Sequence, residues 1–241
     1  MRRFYASPEN FNDNKILLNL DETRHLRDVL RLRVGGEVHV FDGIGKEFLC
    51  EIETIEKQKT ILKIISEVAP KSPESNLDLT LAIALLKGEK FDLVVQKACE
   101  LGVSKIIPLN TKRADVRIKD AKEAAKKLER WQKIALESAK QCGRAKLMQI
   151  EIPLDFAKFI EIADGTKILF AERSGKKFSN INASEKITAV VGSEGGWEDA
   201  EIELARAKGF QIVTLGGRIL RAETAAMTVS ALFQNHFGDL N

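Results

Sequence analysis

The sequence predicts a small β-barrel followed by an α/β domain built on a parallel sheet. Three observations predict it. Short strand-like runs, the later ones separated by glycine turns, make up most of residues 1–72 around one basic helix. From Leu77 onward, apolar strand-like runs alternate with amphipathic helical ones, the layout of a parallel sheet covered by helices. Two of the late runs end in glycine clusters, Gly192-Ser193-Glu194-Gly195-Gly196 and Gly216-Gly217, and a helical pattern follows each. The turn-rich stretch Pro70-Lys71-Ser72-Pro73-Glu74-Ser75 reads as the linker, which gives domains at 1–72 and 73–241.

Composition narrows the function classes. The chain is 44% hydrophobic and 30% charged, ordinary for a globular protein. No apolar run is long enough for a membrane span, and Met1-Arg2-Arg3-Phe4 lacks the apolar stretch of a signal peptide. Cys50, Cys99 and Cys142 are odd in number and far apart, against a disulfide framework or a C-x-x-C metal site, so a reducing, cytoplasmic setting without metal is expected. A net charge of +3 leans only mildly toward anionic partners.

In the first domain, Phe4-Tyr5 and Ile16 to Leu20 read as strands. Asp21 is placed to cap a helix running to about Leu32. Helical spacing gathers Leu26, Val29 and Leu30 on one stripe and Arg24, Arg27 and Arg31 on the other, with His25 and Arg33 extending the basic face. A solvated face usually mixes signs, whereas positions 24 to 33 hold four arginines against one aspartate. That imbalance favours phosphate contact over simple solvation. Strands are expected at Glu37 to Phe41, Glu47 to Ile55 and Thr60 to Val68, the last with visible alternation. Gly43-Ile44-Gly45 is no dinucleotide fingerprint, because no third glycine and no helix follow.

In the second domain, Leu79 to Leu85 is an apolar strand. Lys87-Gly88-Glu89-Lys90 leads into a helix bearing Phe91, Val94, Val95, Ala98 and Leu101, stopped by Gly102. Lys105 to Leu109 is the next strand. A long helix from Lys119 to Cys142 turns Ala124, Leu128, Trp131, Ala135 and Ser138 inward. It ends in Gln141-Cys142-Gly143-Arg144, where Arg144 either complements the helix dipole or contacts nucleic acid. Leu147 to Ile152 reads as an edge strand and Leu154 to Ile162 as a short helix. Lys167 to Phe170, Lys186 to Val191 and Gln211 to Leu215 read as buried strands. The last helix, Glu223 to Phe237, has no formally charged residue from Thr224 on, so burial nearly all round is expected, by the sheet and by a second subunit.

Glycine clusters at the carboxyl ends of sheet strands let a ligand approach the backbone closely. Here the motifs become specific. Val191-Gly192-Ser193-Glu194-Gly195-Gly196 and Leu215-Gly216-Gly217-Arg218-Ile219-Leu220-Arg221-Ala222-Glu223-Thr224-Ala225 resemble the two cofactor loops of the RsmE-type SPOUT RNA methyltransferases. Arg2-Arg3-Phe4-Tyr5, His25-Leu26 with Val29-Leu30-Arg31, Lys97-Ala98 with Glu100-Leu101-Gly102-Val103, and Gln141 with Arg144 also look like that family. The resemblance covers nearly the whole chain. Ser193 stands where the family usually has proline, a change that loosens the turn and keeps its glycines.

The resemblance implies a PUA-like, RNA-binding barrel before a SPOUT domain whose C-terminus is threaded through a trefoil knot. It also implies a homodimer and methylation of N3 of a uridine in 16S (small-subunit) ribosomal RNA, free or assembled in the 30S subunit. S-adenosylmethionine would lie against Phe170, Ala171, Glu172, Gly192, Ser193, Glu194, Gly195, Gly196, Leu215, Gly216, Arg218, Ile219, Leu220, Ala222 and Thr224. Arg221 would stabilise charge developing on the uracil, and Glu223 or Glu194 would take its N3 proton. RNA contacts are expected from Arg2, Arg3, Arg24, Arg31, Arg33, Lys87, Lys90, Gln141 and Arg144. The alternatives are a SPOUT enzyme acting on transfer RNA and a non-catalytic RNA-binding protein of the same fold. The two intact glycine loops weigh against the second.

Overall fold

A computed structural model describes residues 2–173, 175–182 and 184–240. The chain divides into two compact units. Residues up to 74 group with 139–147, and residues 75–138 group with 148 onward.

The first unit is built on a six-stranded sheet. Its strands are β1 (Arg3–Tyr5), β2 (Phe11–Asn12), β3 (Lys15–Leu18), β4 (Glu37–Phe41), β5 (Glu47–Ile55) and β6 (Thr60–Val68), in the order β1-β4-β5-β6-β3-β2. All neighbours are antiparallel except β1 and β4. Register shifts at Leu49/Cys50 and Ile52/Thr54 bend β5, as bulges do, around a core of Phe4, Ile16, Leu18, Val38, Val40 and Leu62.

The arginine-bearing helix differs from the sequence expectation. Asn19, not Asp21, caps α1 (Leu20–Arg24), its side chain accepting the Glu22 N–H at 3.0 Å. A π-helical turn over His25–Val29 then takes one residue more per turn and rotates the residues after it about the helix axis. Leu26 stays buried, but Val29 is 69% exposed, so the predicted Leu26-Val29-Leu30 stripe does not form. Arg27 bonds Asp28 and reaches the carbonyls of Glu56 and Lys57.

Two predicted RNA contacts are corrected in this unit. Arg3 is 3% exposed, and its guanidinium bonds both Glu47 carboxylate oxygens at 3.2 and 3.0 Å. It also donates to the carbonyls of Ala139 and Arg144 and stacks 4.1 Å from the Phe41 ring centre. Arg144 is likewise buried, paired with Glu74 at 2.7 Å. Both are interior struts, because a buried guanidinium holds its place only when its donors are taken up. Lys140 and Glu22 form a further buried pair in the same unit.

The second unit carries a parallel sheet in the order β10-β8-β7-β13-β11-β14-β12, with β9 also on β8. The strands are β7 (Asp78–Ala84), β8 (Lys105–Asn110), β9 (Gln149–Ile150), β10 (Leu154–Asp155), β11 (Thr166–Phe170), β12 (Lys176–Lys177), β13 (Lys186–Val191) and β14 (Gln211–Thr214). The expected edge strand from Leu147 to Ile152 shrinks to β9, and the short helix begins at Phe156. Helices α2 (Lys90–Glu100), α3 (Ala121–Cys142), α4 (Phe156–Ile162), α5 (Asp199–Ala207) and α6 (Ala222–Phe237) connect and follow these strands. Asp120 caps α3, accepting the N–H groups of Lys122 and Glu123. Strands buried on both faces explain the near-continuous apolar runs of β7 and β13.

Helix α6 packs on α2, β7 and β13. Burial all round is not what the single chain shows: Ala222, Ala226, Val229, Ser230, Phe233 and Gln234 are buried, whereas Thr224 and Asn235 are exposed and Thr228 and Ala231 half-buried. Those four follow helical spacing, so one uncharged stripe stays accessible. On another side, Phe233 meets Phe170 and Phe178 at 5.9 and 5.3 Å between ring centres, so the connection after β11 lies on the helix.

Candidate cofactor site

Three neighbouring strands, β13, β11 and β14, end level with one another. Phe170 is opposite Val191 on one side and Val213 on the other. Because the strands are parallel, the segments leaving them emerge at one edge of the sheet, where α/β folds bind ligands. These segments line a cavity of about 320 Å³, near the lower end of the roughly 300–1,000 Å³ range of small-molecule sites.

The glycine loop 192–196 is held from three sides. Gly196 N–H closes a turn on the Ser193 carbonyl at 2.9 Å. The buried Trp197 indole donates to the Phe170 carbonyl at 2.9 Å and pins the loop to the end of β11. Gly195 passes so close to the 111–118 segment that a Cβ there would lie 2.7 Å from the Arg113 carbonyl oxygen. Gly216 meets a different demand: its φ is +59°, while a Cβ would meet nothing within 4 Å among the described residues. Bare backbone is thus required at Gly195 by protein packing and at Gly216 by conformation.

Charged groups tie the loops together. Arg173 pairs with Glu172, with Asp199 at 2.8 Å, and donates to the Trp197 carbonyl at 3.2 Å. Lys90 lies 2.8 Å from Glu194 and 3.8 Å from Glu223. Burial pushes the Glu194 carboxyl up, but the Lys90 hydrogen bond and the backbone outweigh it and leave it below the usual carboxylate range. Glu194 is therefore ionised at neutral pH.

Most predicted cofactor residues meet here. Phe170, Ala171, Glu172, Gly192, Ser193, Glu194, Gly195, Gly196, Leu215, Gly216, Arg218, Ile219, Leu220 and Ala222 line the cavity; Thr224 does not and is exposed. Of the predicted catalytic groups only Glu194 is in the wall. Arg221 is exposed at the N-cap of α6, and Glu223 sits behind it with Oε2 buried and, among the described residues, without a hydrogen-bond partner. Val191, Gly217 and Ala225 belong to the motifs read from the sequence but are not assigned there as contacts, and Trp197 and Thr214 in the wall, with Arg173 and Arg113 bonded to the loop behind it, are not anticipated. Trp197 carried a signal, a large aromatic directly after the glycine pair; the two arginines carried none.

Among the predicted RNA contacts, Arg2, Arg24, Arg31, Arg33 and Gln141 are exposed. Lys87 is exposed and pairs with Asp115 at 2.9 Å, while Lys90 is engaged by two carboxylates.

The wall suits an adenosine bearing a cationic chain. Apolar Phe170, Leu215, Ile219 and Leu220 can cover a ring, and Glu172 and Glu194 present carboxylates to positive charge. Ser193 is buried, and its hydroxyl finds no hydrogen-bond partner among the described residues, so a polar ligand would relieve a buried unsatisfied group. Among the described residues no cluster could hold a metal, and no helix is long and apolar enough to cross a membrane.

An RNA methyltransferase domain model matches residues 73–234, and an RNA methyltransferase PUA domain model matches 18–65. A ribosomal RNA small subunit methyltransferase E from Synechocystis is 36% identical over 92% of this chain and 74% of its own length. The chain belongs to the ribosomal RNA small subunit methyltransferase E family. The Aquifex aeolicus member of the family is 30% identical over 98% of this chain and 100% of its own. The crystal structure of the Neisseria gonorrhoeae member, bound to S-adenosylmethionine, superposes with a TM-score of 0.91 at 34% identity, covering 100% of both chains.

Proposed function

We propose that this chain methylates N3 of a uridine in 16S (small-subunit) ribosomal RNA, using S-adenosylmethionine. The observation that carries the reading is the convergence of three loops at the level ends of β13, β11 and β14, around a cavity in a chain of this family. When bound, the cofactor supplies a methyl group on a sulfonium, so the protein's work is to hold donor and acceptor in line. Backbone groups of 192–196 and 215–220 read the adenine edge, Leu215, Ile219 and Leu220 cover its faces, and Glu172 and Glu194 complement the positive charge.

The uracil N3 proton has to leave. Glu194, ionised and in the wall, takes that proton as the methyl passes to N3. Arg221, exposed beside the cavity, stabilises charge on the uracil oxygens. Arg2, Arg24, Arg31 and Arg33 of the PUA-like barrel hold RNA phosphates, in free RNA or in the 30S subunit. The uncharged stripe of α6 is the homodimer interface. Its position between the sheet and the connection carrying Phe178 supports a C-terminus threaded through a trefoil knot. The enzyme works in the cytoplasm, where its RNA is.

Titration calorimetry with S-adenosylmethionine tests the assignment. One equivalent of cofactor per chain is expected, and a folded chain that takes up none refutes it.

A further inference from the structure

We propose that Lys90 is a positioning residue of the methyl-transfer site, its ammonium joining Glu194 of the glycine loop to Glu223 at the head of α6. The inference rests on the function proposed above and gives Lys90 a role other than gripping RNA. Lys90 does not line the cavity, yet it reaches both elements that do. Its Nζ is 2.8 Å from Glu194 Oε1, in the wall, and 3.8 Å from Glu223 Oε2, next to the wall residue Ala222.

Two further facts say the arrangement serves the site rather than the helix. Lys90 is the first residue of α2, where the helix dipole disfavours a cation, so helix stability gives no reason for it. Glu223 Oε2 is buried and has no hydrogen-bond partner among the described residues. A buried carboxylate oxygen without a donor is costly, and Lys90 is the cation beside it. The lysine is thus shared between two carboxylates, one satisfied and one waiting. Closing the longer gap would draw the start of α6 toward the glycine loop and narrow the cavity from both sides. The other charges facing this group are Arg221, near Lys90, and Asp115, near Glu194 and itself paired with Lys87.

The test uses the full-length chain, with S-adenosylmethionine affinity and RNA affinity measured separately. Lys90→Met keeps the length of the stem and removes the charge. It should weaken cofactor binding about tenfold, the usual effect of losing one charge-assisted hydrogen bond, and leave RNA binding unchanged. Lys90→Arg, whose fork spans two carboxylates, should restore most of the affinity. The pH profile separates positioning from general structural support. Wild-type cofactor affinity should fall only as pH drops through the lowered Glu194 value, and in Lys90→Met that fall should begin at higher pH, because the carboxylate has lost its cation. Glu194→Gln should weaken binding similarly, and adding Lys90→Met to it should cost little more. Weakened RNA binding with unchanged cofactor affinity would overturn the proposal, and so would an unmoved pH midpoint. Failure of the functional reading looks different: the wild-type chain itself would not bind the cofactor.

Discussion

Replacing Arg3 tests whether its guanidinium is a strut or an RNA contact. The side chain of Arg3 is 1% exposed and that of Glu47 3%, so Arg3→Met leaves a buried carboxylate in the first unit whose remaining ion-pair partner among the described residues is the half-exposed His39 ring, 3.2 Å away. Removing one partner of a buried ion pair costs about 3–5 kcal/mol. At roughly 2–4 °C per kcal/mol for a chain of this size, the melting temperature should drop by about 6–20 °C. The drop belongs to the unit that contains β1 and β5, and differential scanning calorimetry would resolve it if the two units melt apart. Arg3→Met with Glu47→Leu removes both charges and should recover most of the loss, because an apolar pair of similar volume carries no desolvation cost. RNA affinity of Arg3→Met, measured well below its melting temperature, should match wild type. An unchanged melting temperature together with weakened RNA binding would refute the reasoning and return Arg3 to the RNA surface.

Three further substitutions separate cofactor site, RNA surface and subunit interface. Gly195→Ala should weaken S-adenosylmethionine binding more than Gly216→Ala, by calorimetry, because its methyl meets the Arg113 backbone, whereas Gly216→Ala costs only the roughly 1–2 kcal/mol of left-handed backbone. Arg24→Ala with Arg31→Ala should raise the RNA dissociation constant and flatten its salt dependence by about one log-log unit for each arginine removed, with cofactor affinity unmoved. Ala231→Asp puts a charge on the uncharged stripe of α6 and should give monomers in sedimentation experiments; a dimer with an unchanged melting temperature would place the interface elsewhere.

Local signals made much of this fold legible. β4, β5 and β6 occupy Glu37–Phe41, Glu47–Ile55 and Thr60–Val68 as read, because alternation and glycine turns are written within each segment. The cavity wall was legible for a similar reason: strand ends and glycine clusters adjoin in sequence. What could not be read depends on distant partners. Arg3 and Arg144 look like surface cations until Glu47 and Glu74, 44 and 70 positions away, enclose them. The π turn at His25–Val29 differs from an α-helix by one residue, and no periodicity over so short a stretch separates the two. For α6, the missing charges signalled burial correctly on the side facing α2, β7 and β13, but the composition does not distinguish cover by the chain itself from cover by a second copy.

Methyl transfer to a uridine N3 is the activity on which the site and the RNA surface converge. Incubating the chain with methyl-labelled S-adenosylmethionine and either free small-subunit RNA or assembled 30S subunits, then digesting to nucleosides, tests it most directly. Label should appear in N3-methyluridine from at least one of the two substrates and be lost in a folded Gly195→Val variant. Label in a different nucleoside, or none from either substrate with cofactor bound, would contradict it.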